Sequence, residues 1–321
     1  SKSWSYAKFK SFNTNLEFNL DPFIYKTIRS SDFYKKLFSK IKLSKQIKIE
    51  NLEVKEIISK KNKVIIHTKS DEFIGKYVFS SILKKDLLKN SSFPFLKQHF
   101  EGWFIKTNKS FFDKNKTTLM DFSINQKNET RFIYILPFKS NEALIEFTLF
   151  TKSILKNSEY EKVLKEYLNN KEIDSYEILE KEQGVIPMTC YPFEKHNNSR
   201  VLFIGTAGGW TKASSGYTFK NIITKTELLI NFLKKEKDLS KFNLRSRFNF
   251  YDLILIDVLY NYNHLGDKIF SSLFRNNKPN KVLNFLDEKT NLIDELKIMY
   301  SFPWSIKILF IKALFKNLFK Y

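Results

Sequence analysis

Residues 201–219 read VLFIGTAGGWTKASSGYTF. A short apolar run, VLFI, ends in glycine-rich backbone and leads into the helix-forming segment TFKNIITKTELLINFLKK (218–235). A strand that passes through glycines into a helix turns free backbone N–H groups and the positive end of the helix dipole towards an anion. Gly205, Gly208, Gly209 and Gly216 are four of only eight glycines in 321 residues, a concentration that ordinary turns do not require. The spacing matches neither G-x-G-x-x-G nor the phosphate-binding P-loop. Two readings stay open on this stretch alone: a site for an anionic cofactor, and a plain strand-to-helix crossover with glycine turns.

Upstream, strands dominate. QHFEGWFIKT (98–107), TTLMDFSI (117–124), RFIYILPF (131–138) and EALIEFTLF (142–150) are separated by connections containing Asn, Lys, Asp and Ser, as turns are. In the third, Phe132, Tyr134 and Leu136 share one face while Ile133 and Ile135 share the other. A strand apolar on both faces belongs to a sheet covered on both sides, so helices or an apolar ligand must occupy the second face. Further out, residues 2–20 read as extended. Asp21-Pro22 is expected to open a helix carrying Phe23, Ile24, Ile28, Phe33, Tyr34 and Leu37, and three strands follow between 47 and 83. SEYEKVLKEYLNN (158–170) spaces Val163, Leu164, Tyr167 and Leu168 as a helix does, and YEILEKEQGVIPM (176–188) returns to extended chain. Residues 241–321 read as mostly helical and aromatic-rich, a third layer.

The balance of 42% hydrophobic and 28% charged residues is that of a folded chain of about two domains. No apolar run reaches the ~18 residues of a membrane-spanning helix, and the opening SKSWSYAKFK holds no apolar signal core. A single cysteine, Cys190, excludes an internal disulfide and fits a reducing compartment. The formal charge of +21 raises nucleic acid and anionic membrane as partners. Only six of the 55 basic residues are arginine, the side chain suited to bidentate recognition of phosphates and bases. Lysine is abundant together with Asn, Ile, Phe and Tyr, all of which share A/T-rich codons, so nucleic-acid binding is not expected. Scattered histidines and one cysteine offer no metal site.

Several blocks occur in a fixed order. They are Gln98-His99-Phe100 with Gly102-Trp103; Met120-Asp121-Phe122 with Gln126, then Arg131-Phe132, Tyr134 and Leu136-Pro137; Leu144-Ile145-Glu146 with Thr148; Glu182, Gly184 and Ile186-Pro187-Met188; and Gly205 to Tyr217. Over about residues 95–220 these resemble the lycopene cyclase family, and the last block resembles the C-terminal FAD-binding stretch of aromatic-hydroxylase-type flavoproteins. The resemblance implies an α/β flavoprotein fold, α+β over the residues present. An FAD-binding domain remnant is expected at 1–94 and 180–240, an antiparallel substrate-binding sheet at 95–179, and a helical, membrane-facing region at 241–321. It implies an intramolecular lyase/isomerase that closes the linear end groups of lycopene, or a related linear carotenoid, to β-rings. FAD, reduced by NAD(P)H, is the implied cofactor, with no net redox change. Gly205, Thr206, Ala207, Gly208, Gly209, Ser215, Gly216 and Tyr217 are the implied FAD contacts. Thr206 stands where hydroxylase-type relatives usually have aspartate, and Ala213 where related cyclases often have proline.

Such chemistry calls for an acid, a dry apolar tunnel and negative charge near a cation. Alternation along EALIEFTLF puts Leu144, Glu146, Thr148 and Phe150 on one face, so Glu146 projects between large apolar neighbours. Burial raises a carboxyl from its ordinary ~4.3, and a carboxyl that keeps its proton near neutral pH can donate it. The alternative is an exposed carboxylate paired with a lysine. The resemblance places Glu146 at the family's catalytic glutamate; many members carry a second acid directly after it, where this chain has Phe147. Asp121 is expected either to accept the departing proton or steady the cation, or to serve in a structural salt bridge, and Glu182 is open in the same way. His99 reads as a base or as a structural group. Trp103 and Tyr134, with Phe104 and Phe132, read as substrate-tunnel lining or as plain core.

On a helical wheel Trp304, Ile308, Ile311, Phe315 and Phe319 fall on one side and Lys312, Lys316 and Lys320 on another. This is either a helix lying in a membrane interface or a terminal helix docked on the core. A long hydrocarbon substrate is delivered from a bilayer, so the expectation is a cytoplasmic enzyme, peripheral on the inner face of the membrane. No glycine precedes Gly75, and the βαβ unit with G-x-G-x-x-G is absent from these residues. The expectation is a fragment, or a protein with half an FAD site, and weak or no flavin binding by the chain alone. Two other readings remain: another flavin-dependent prenyl-lipid reductase or hydroxylase, and a non-catalytic basic protein of the membrane surface.

Overall fold

The computed structural model describes residues 2–84, 86–89 and 91–320. The chain opens with β1 (Lys2–Trp4), β2 (Tyr6–Ser11), β3 (Thr14–Asn19) and β4 (Tyr25–Thr27), followed by α1 (Ser30–Lys42). Next come β5 (Val54–Ser59), β6 (Val64–Thr68), β7 (Glu72–Gly75), β8 (Val78–Ser80) and the short α2 (Asp86–Lys89). The middle of the chain holds β9 (Leu96–Thr107), β10 (Lys116–Asp121), β11 (Thr130–Lys139), β12 (Glu142–Thr151), α3 (Asn157–Asn169) and β13 (Tyr176–Met188). After β14 (Val201–Phe203) and α4 (Phe219–Leu233) the chain is helical: α5 (Arg247–Asn261), α6 (Gly266–Asn276), α7 (Pro279–Leu286), α8 (Leu292–Tyr300) and α9 (Trp304–Asn317).

A seven-stranded sheet in the order β13-β9-β12-β11-β10-β2-β3 is the frame. Its pairs are antiparallel except β10 with β2, which run parallel. Period-two alternation sends Trp103, Ile105, Ile133, Ile145, Phe147 and Leu149 to one face, where α3 covers them with Tyr160, Leu164, Tyr167 and Leu168. Each such burial contributes about 1.5–3 kcal/mol. The opposite face has two separate covers. Helices α5, α6 and α9 pack Val258, Phe270 and Ile306 over Phe9, Phe122, Phe132 and Phe150. At the other end the β1–β4 ribbon lays Trp4 on Leu136 and Leu144, and the Trp4 indole N–H donates to the carbonyl of Pro137 (3.1 Å). The sheet is thus covered on both sides, as the doubly apolar β11 requires.

A second region holds the meander β5–β6–β7 and the parallel pair β8–β14, joined through Val64, Val78 and Val201. Behind β14, Leu202, Trp210 and Leu239 pack against Leu229 of α4.

Two expectations change. The helix expected from Asp21-Pro22 begins only at Ser30, because residues 25–27 pair with 2–4 as β4, and none of α1 is buried. Backbone pairing to a strand already pinned by Trp4 wins over helix formation there. The large sheet also takes β2 and β3 from before residue 94, and its β13 runs across residue 179, so it crosses both boundaries expected for the substrate domain.

Candidate active site

On the face away from α3, four residues form one row across four strands. Tyr134 of β11 pairs with Glu146 of β12, Glu146 with Gly102 of β9, and Gly102 with Glu182 of β13. The row lies between the two covers, with Leu136 and Leu144 on one side and Phe132 and Phe150 on the other. Thr148, next along the same face, donates its hydroxyl to Glu146 Oε1 (2.6 Å). Gly102 leaves a slot: a Cβ there would come within 2.9 Å of Leu144 Cδ1 and 3.0 Å of Glu182 Cγ. The hydroxyl of Tyr25, from β4, lies 2.6 Å from that of Tyr134 and 3.3 Å from that of Tyr217. Three parts of the chain, the ribbon, the sheet and the glycine segment, therefore converge on Glu146.

The electrostatics follow from dryness. Desolvation pushes the Glu146 carboxyl up to about 8, opposed by the Thr148 hydrogen bond and assisted by the charge of Glu182. Burial also raises Glu182, with Glu180 adding to the effect and Arg29 opposing it. Arg29 is itself held by Glu180 (2.8 Å) and lies over the Phe104 ring (4.5 Å). The phenols of Tyr25 and Tyr134 are pushed well above their ordinary range by burial and so stay neutral. The Tyr217 ring is half-exposed, with its hydroxyl end turned inward on Tyr25. The arrangement is a protonated acid among neutral hydroxyls and apolar walls, which is the arrangement of a proton donor.

The glycine segment lies on the same sheet face. Gly216, at φ +72°, sits where a Cβ would be 2.0 Å from Gln98 Oε1, so only glycine allows this approach to β9. Residues Gly205–Gly208 form one 3-10 turn directly after β14, with Ala207 buried and open space beside Gly205. Thr206 and Thr211 hydroxyls lie 3.2 Å apart. Thr218, which precedes α4, gives its hydroxyl to the Gly216 carbonyl (3.0 Å) and makes no side-chain cap, leaving the first turn of α4 open to an anion. The buried Ser215 Oγ and Gln98 Oε1 have no hydrogen-bond partner among the described residues. An uncapped helix start, an open glycine and two orphaned polar atoms fit the phosphate and flavin portion of FAD. Lys212 is not free for phosphate: buried, its ammonium sits between Asp252 (3.0 Å) and Glu288 (2.9 Å).

Other expected site residues go elsewhere. Asp121 pairs across the ladder with Ile133 and therefore faces α3, not Glu146. Its Oδ2 accepts from the Tyr167 hydroxyl (2.8 Å) and its Oδ1 from the Ser123 N–H (2.9 Å), so it fastens β10 to α3. Trp103 takes that face too, because the Glu146 face at this point of β9 belongs to Gly102; it is fully buried and its indole N–H donates to Glu101 (2.7 Å). Neither reaches the Glu146 row, whereas Tyr134 does. His99 is structural: Thr151 gives its hydroxyl proton to the Ser153 carbonyl (2.6 Å) and so accepts from His99 Nε2 (2.7 Å), leaving Nδ1 to accept from Tyr160 (2.6 Å). Burial holds the ring down to about 4, which keeps it neutral. Tyr25 lies outside the apolar set of the expected helix, and the alternating exposure of residues 23–28 emerges only once 25–27 pair with 2–4.

The family model described as lycopene cyclase protein matches residues 1–309. The chain belongs to the lycopene cyclase family. No curated protein matches it. Among solved structures it is similar to a flavoprotein/dehydrogenase from Cytophaga hutchinsonii, at 14% identity over 99% of this chain and 83% of that one, with a TM-score of 0.60. A geranylgeranyl bacteriochlorophyll reductase-like protein from Thermoplasma acidophilum is similar at 10% identity over 98% of this chain and 82% of that one, TM-score 0.57. HpxO from Klebsiella pneumoniae, solved in complex with FAD, is similar at 12% identity over 94% of this chain and 83% of that one, TM-score 0.52. This member of the lycopene cyclase family therefore has the flavoprotein fold.

Proposed function

We propose that the protein is a flavin-dependent enzyme that closes the linear end groups of lycopene, or a related linear carotenoid, to β-rings, with Glu146 as the proton donor. The observation that carries this reading is the Glu146 carboxyl, held in a row between two apolar covers with its proton retained up to about 8. Near neutral pH such a group is roughly nine-tenths protonated. The Glu146 proton passes to an end-group double bond. The resulting cation draws in the electrons of a neighbouring double bond, closing the ring through one new C–C bond, and a ring C–H proton returns to the Glu146 carboxylate as the ring double bond forms. Nothing is oxidised or reduced overall. Phe132, Leu136 and Leu144 exclude the water that would capture the cation, and the neutral Tyr25 and Tyr134 turn oxygen dipoles towards it. Gly205–Gly209 and Ser215–Tyr217 would hold reduced FAD, with NAD(P)H as the reductant, and the group would supply negative charge beside the cation.

The substrate is delivered from a membrane. In support of this, α9 docks on the core through Ile306, Ala313 and Asn317, and Lys316 bonds Asp257 of α5 (2.6 Å). The apolar stripe points the other way: Leu296, Tyr300, Trp304, Ile308, Phe315 and Phe319 are all exposed, Phe319 at 96%. With a net charge of +21, this surface suits an anionic leaflet on the cytoplasmic side. Among the described residues no helix is long and apolar enough to cross a membrane.

The test is Glu146→Gln in lycopene-accumulating cells. Linear lycopene alone is expected; cyclic carotenoid at the unsubstituted level would overturn the assignment.

A further inference from the structure

With Glu146 as the one proton donor, the question is what, besides burial, keeps it loaded with a proton. The residue next in the strand does not: alternation sends Phe147 to the α3 face, fully buried against Tyr160. Any side chain at position 147 stands on the wrong side of the sheet. A second carboxyl near Glu146 has to come from another strand.

We propose that Glu182 is that second carboxyl, reaching towards Glu146 across the side-chain-free Gly102. The inference rests on the reading of Glu146 as the acid. Glu182 and Glu146 are each the cross-strand neighbour of Gly102, one from β13 and one from β12. Two strand spacings, about 10 Å, would separate their backbones and any intervening side chain would screen them. Gly102 has none, and Glu182 folds into the vacancy: its Cγ and Oε1 lie 3.0 Å and 3.2 Å from where the Gly102 Cβ would be. The other groups around Glu146 do not compete for this role. Tyr134, Tyr25 and Tyr217 are neutral phenols, and Glu180 is engaged by Arg29 at 2.8 Å. Glu182, on the sheet edge and nearer to Arg29, carries the negative charge of the pair, while the more enclosed Glu146 carries the proton. Glu182 is thus a positioning residue. Its charge adds to desolvation in keeping the proton on Glu146, and it adds negative potential facing the cation once that proton has gone.

The experiment is a carbon-13 NMR titration of glutamate-labelled full chain, with the Glu146 carboxyl assigned by its loss in E146Q. In the isosteric E182Q the Glu146 midpoint is expected to fall by about one pH unit, the lower end of the effect of a close charge. In G102A, which keeps both carboxyls but displaces Glu182, the midpoint falls in the same direction. An unmoved midpoint in both variants overturns the inference, whether or not the protein cyclises anything. In the cyclisation assay the alkaline limb of the pH profile moves down with the midpoint in E182Q. A shifted midpoint with no cyclisation by the unsubstituted enzyme would uphold the pair and refute the cyclase reading.

Discussion

Glu146→Gln should make the protein more stable at alkaline pH, and the size of the gain follows from the site. The folded carboxyl is held at about 8 against an ordinary 4.5. Below the ordinary value both folded and unfolded chains carry the proton and Glu146 contributes nothing. As the pH rises through the interval, the unfolded chain releases its proton while the folded chain keeps it, so stability falls with pH until the folded group also ionises. Roughly 3.5 units at about 1.36 kcal/mol each set a ceiling of about 5 kcal/mol. The carboxyl keeps some contact with solvent through the gap between the covers, and discounting for that screening leaves about 2–3 kcal/mol. Glutamine cannot ionise and escapes this cost. Urea unfolding followed by tryptophan fluorescence, with Trp4, Trp103 and Trp210 all buried, reads the difference. E146Q should match the parent near about pH 4 and exceed it by about 2–3 kcal/mol near about pH 8.5. A variant that loses stability relative to the parent as pH rises would mean an ionised, paired carboxylate, and the proton-donor argument would fail.

Tyr167→Phe removes the 2.8 Å bond to buried Asp121 and should cost about 1–3 kcal/mol in thermal melts while leaving the product pattern in lycopene-accumulating cells unchanged. Gly216→Ala, at φ +72° with Gln98 Oε1 2.0 Å from the new Cβ, should cost about 1–3 kcal/mol and lower flavin retention on purification. Paired Trp304→Ser and Phe315→Ser should weaken sedimentation with anionic vesicles at least about tenfold with no loss of folded-state stability, since both side chains are exposed. His99, held at about 4, is neutral in the folded chain and charged in the unfolded one between about 6.5 and 4, so stability should drop by about 3 kcal/mol across that window as pH falls, a slope that His99→Gln should lack.

Much of this architecture is legible in the sequence because strands of alternating apolar residues leave little choice. YEILEKEQGVIPM is β13 to the residue, and the four strands from 98 to 150 and the helix at 158–170 lie where their periodicity puts them. Alternation also separates Glu146 from Phe147 correctly. What a single strand cannot convey is which of its faces joins which face of the next. Asp121 and Trp103 each sit in the right block and the right strand, yet register places them beside Ile133 and Ile145, facing α3. A shift between Thr118 and Asp121 in the β10 ladder makes this parity still harder to read. Tyr25 escaped because its segment has apolar residues at helical spacing, and only the long-range pairing with β1 shows it to be a strand. Gly102 has meaning solely in relation to the two carboxyls that flank it across the sheet.

The contrast between the two acids explains why one of them suits chemistry. Asp121 is almost wholly buried, but Tyr167 and Ser123 occupy both its oxygens, and the carboxyl is consumed in holding α3 to the sheet. Glu146 accepts one hydroxyl, from Thr148, and among the described residues no second hydrogen bond reaches it. A buried carboxyl without donors lowers its free energy by keeping its proton. Glu146 stands between the two covers on this face, helices at one end and the β1–β4 ribbon at the other, and is only partly enclosed, so the retained proton is within reach. Packing could have closed that gap with an aliphatic residue and gained stability. A fold that instead keeps an underbonded acid in an opening between two apolar covers departs from its own packing rule at the one place where a reaction would need it to.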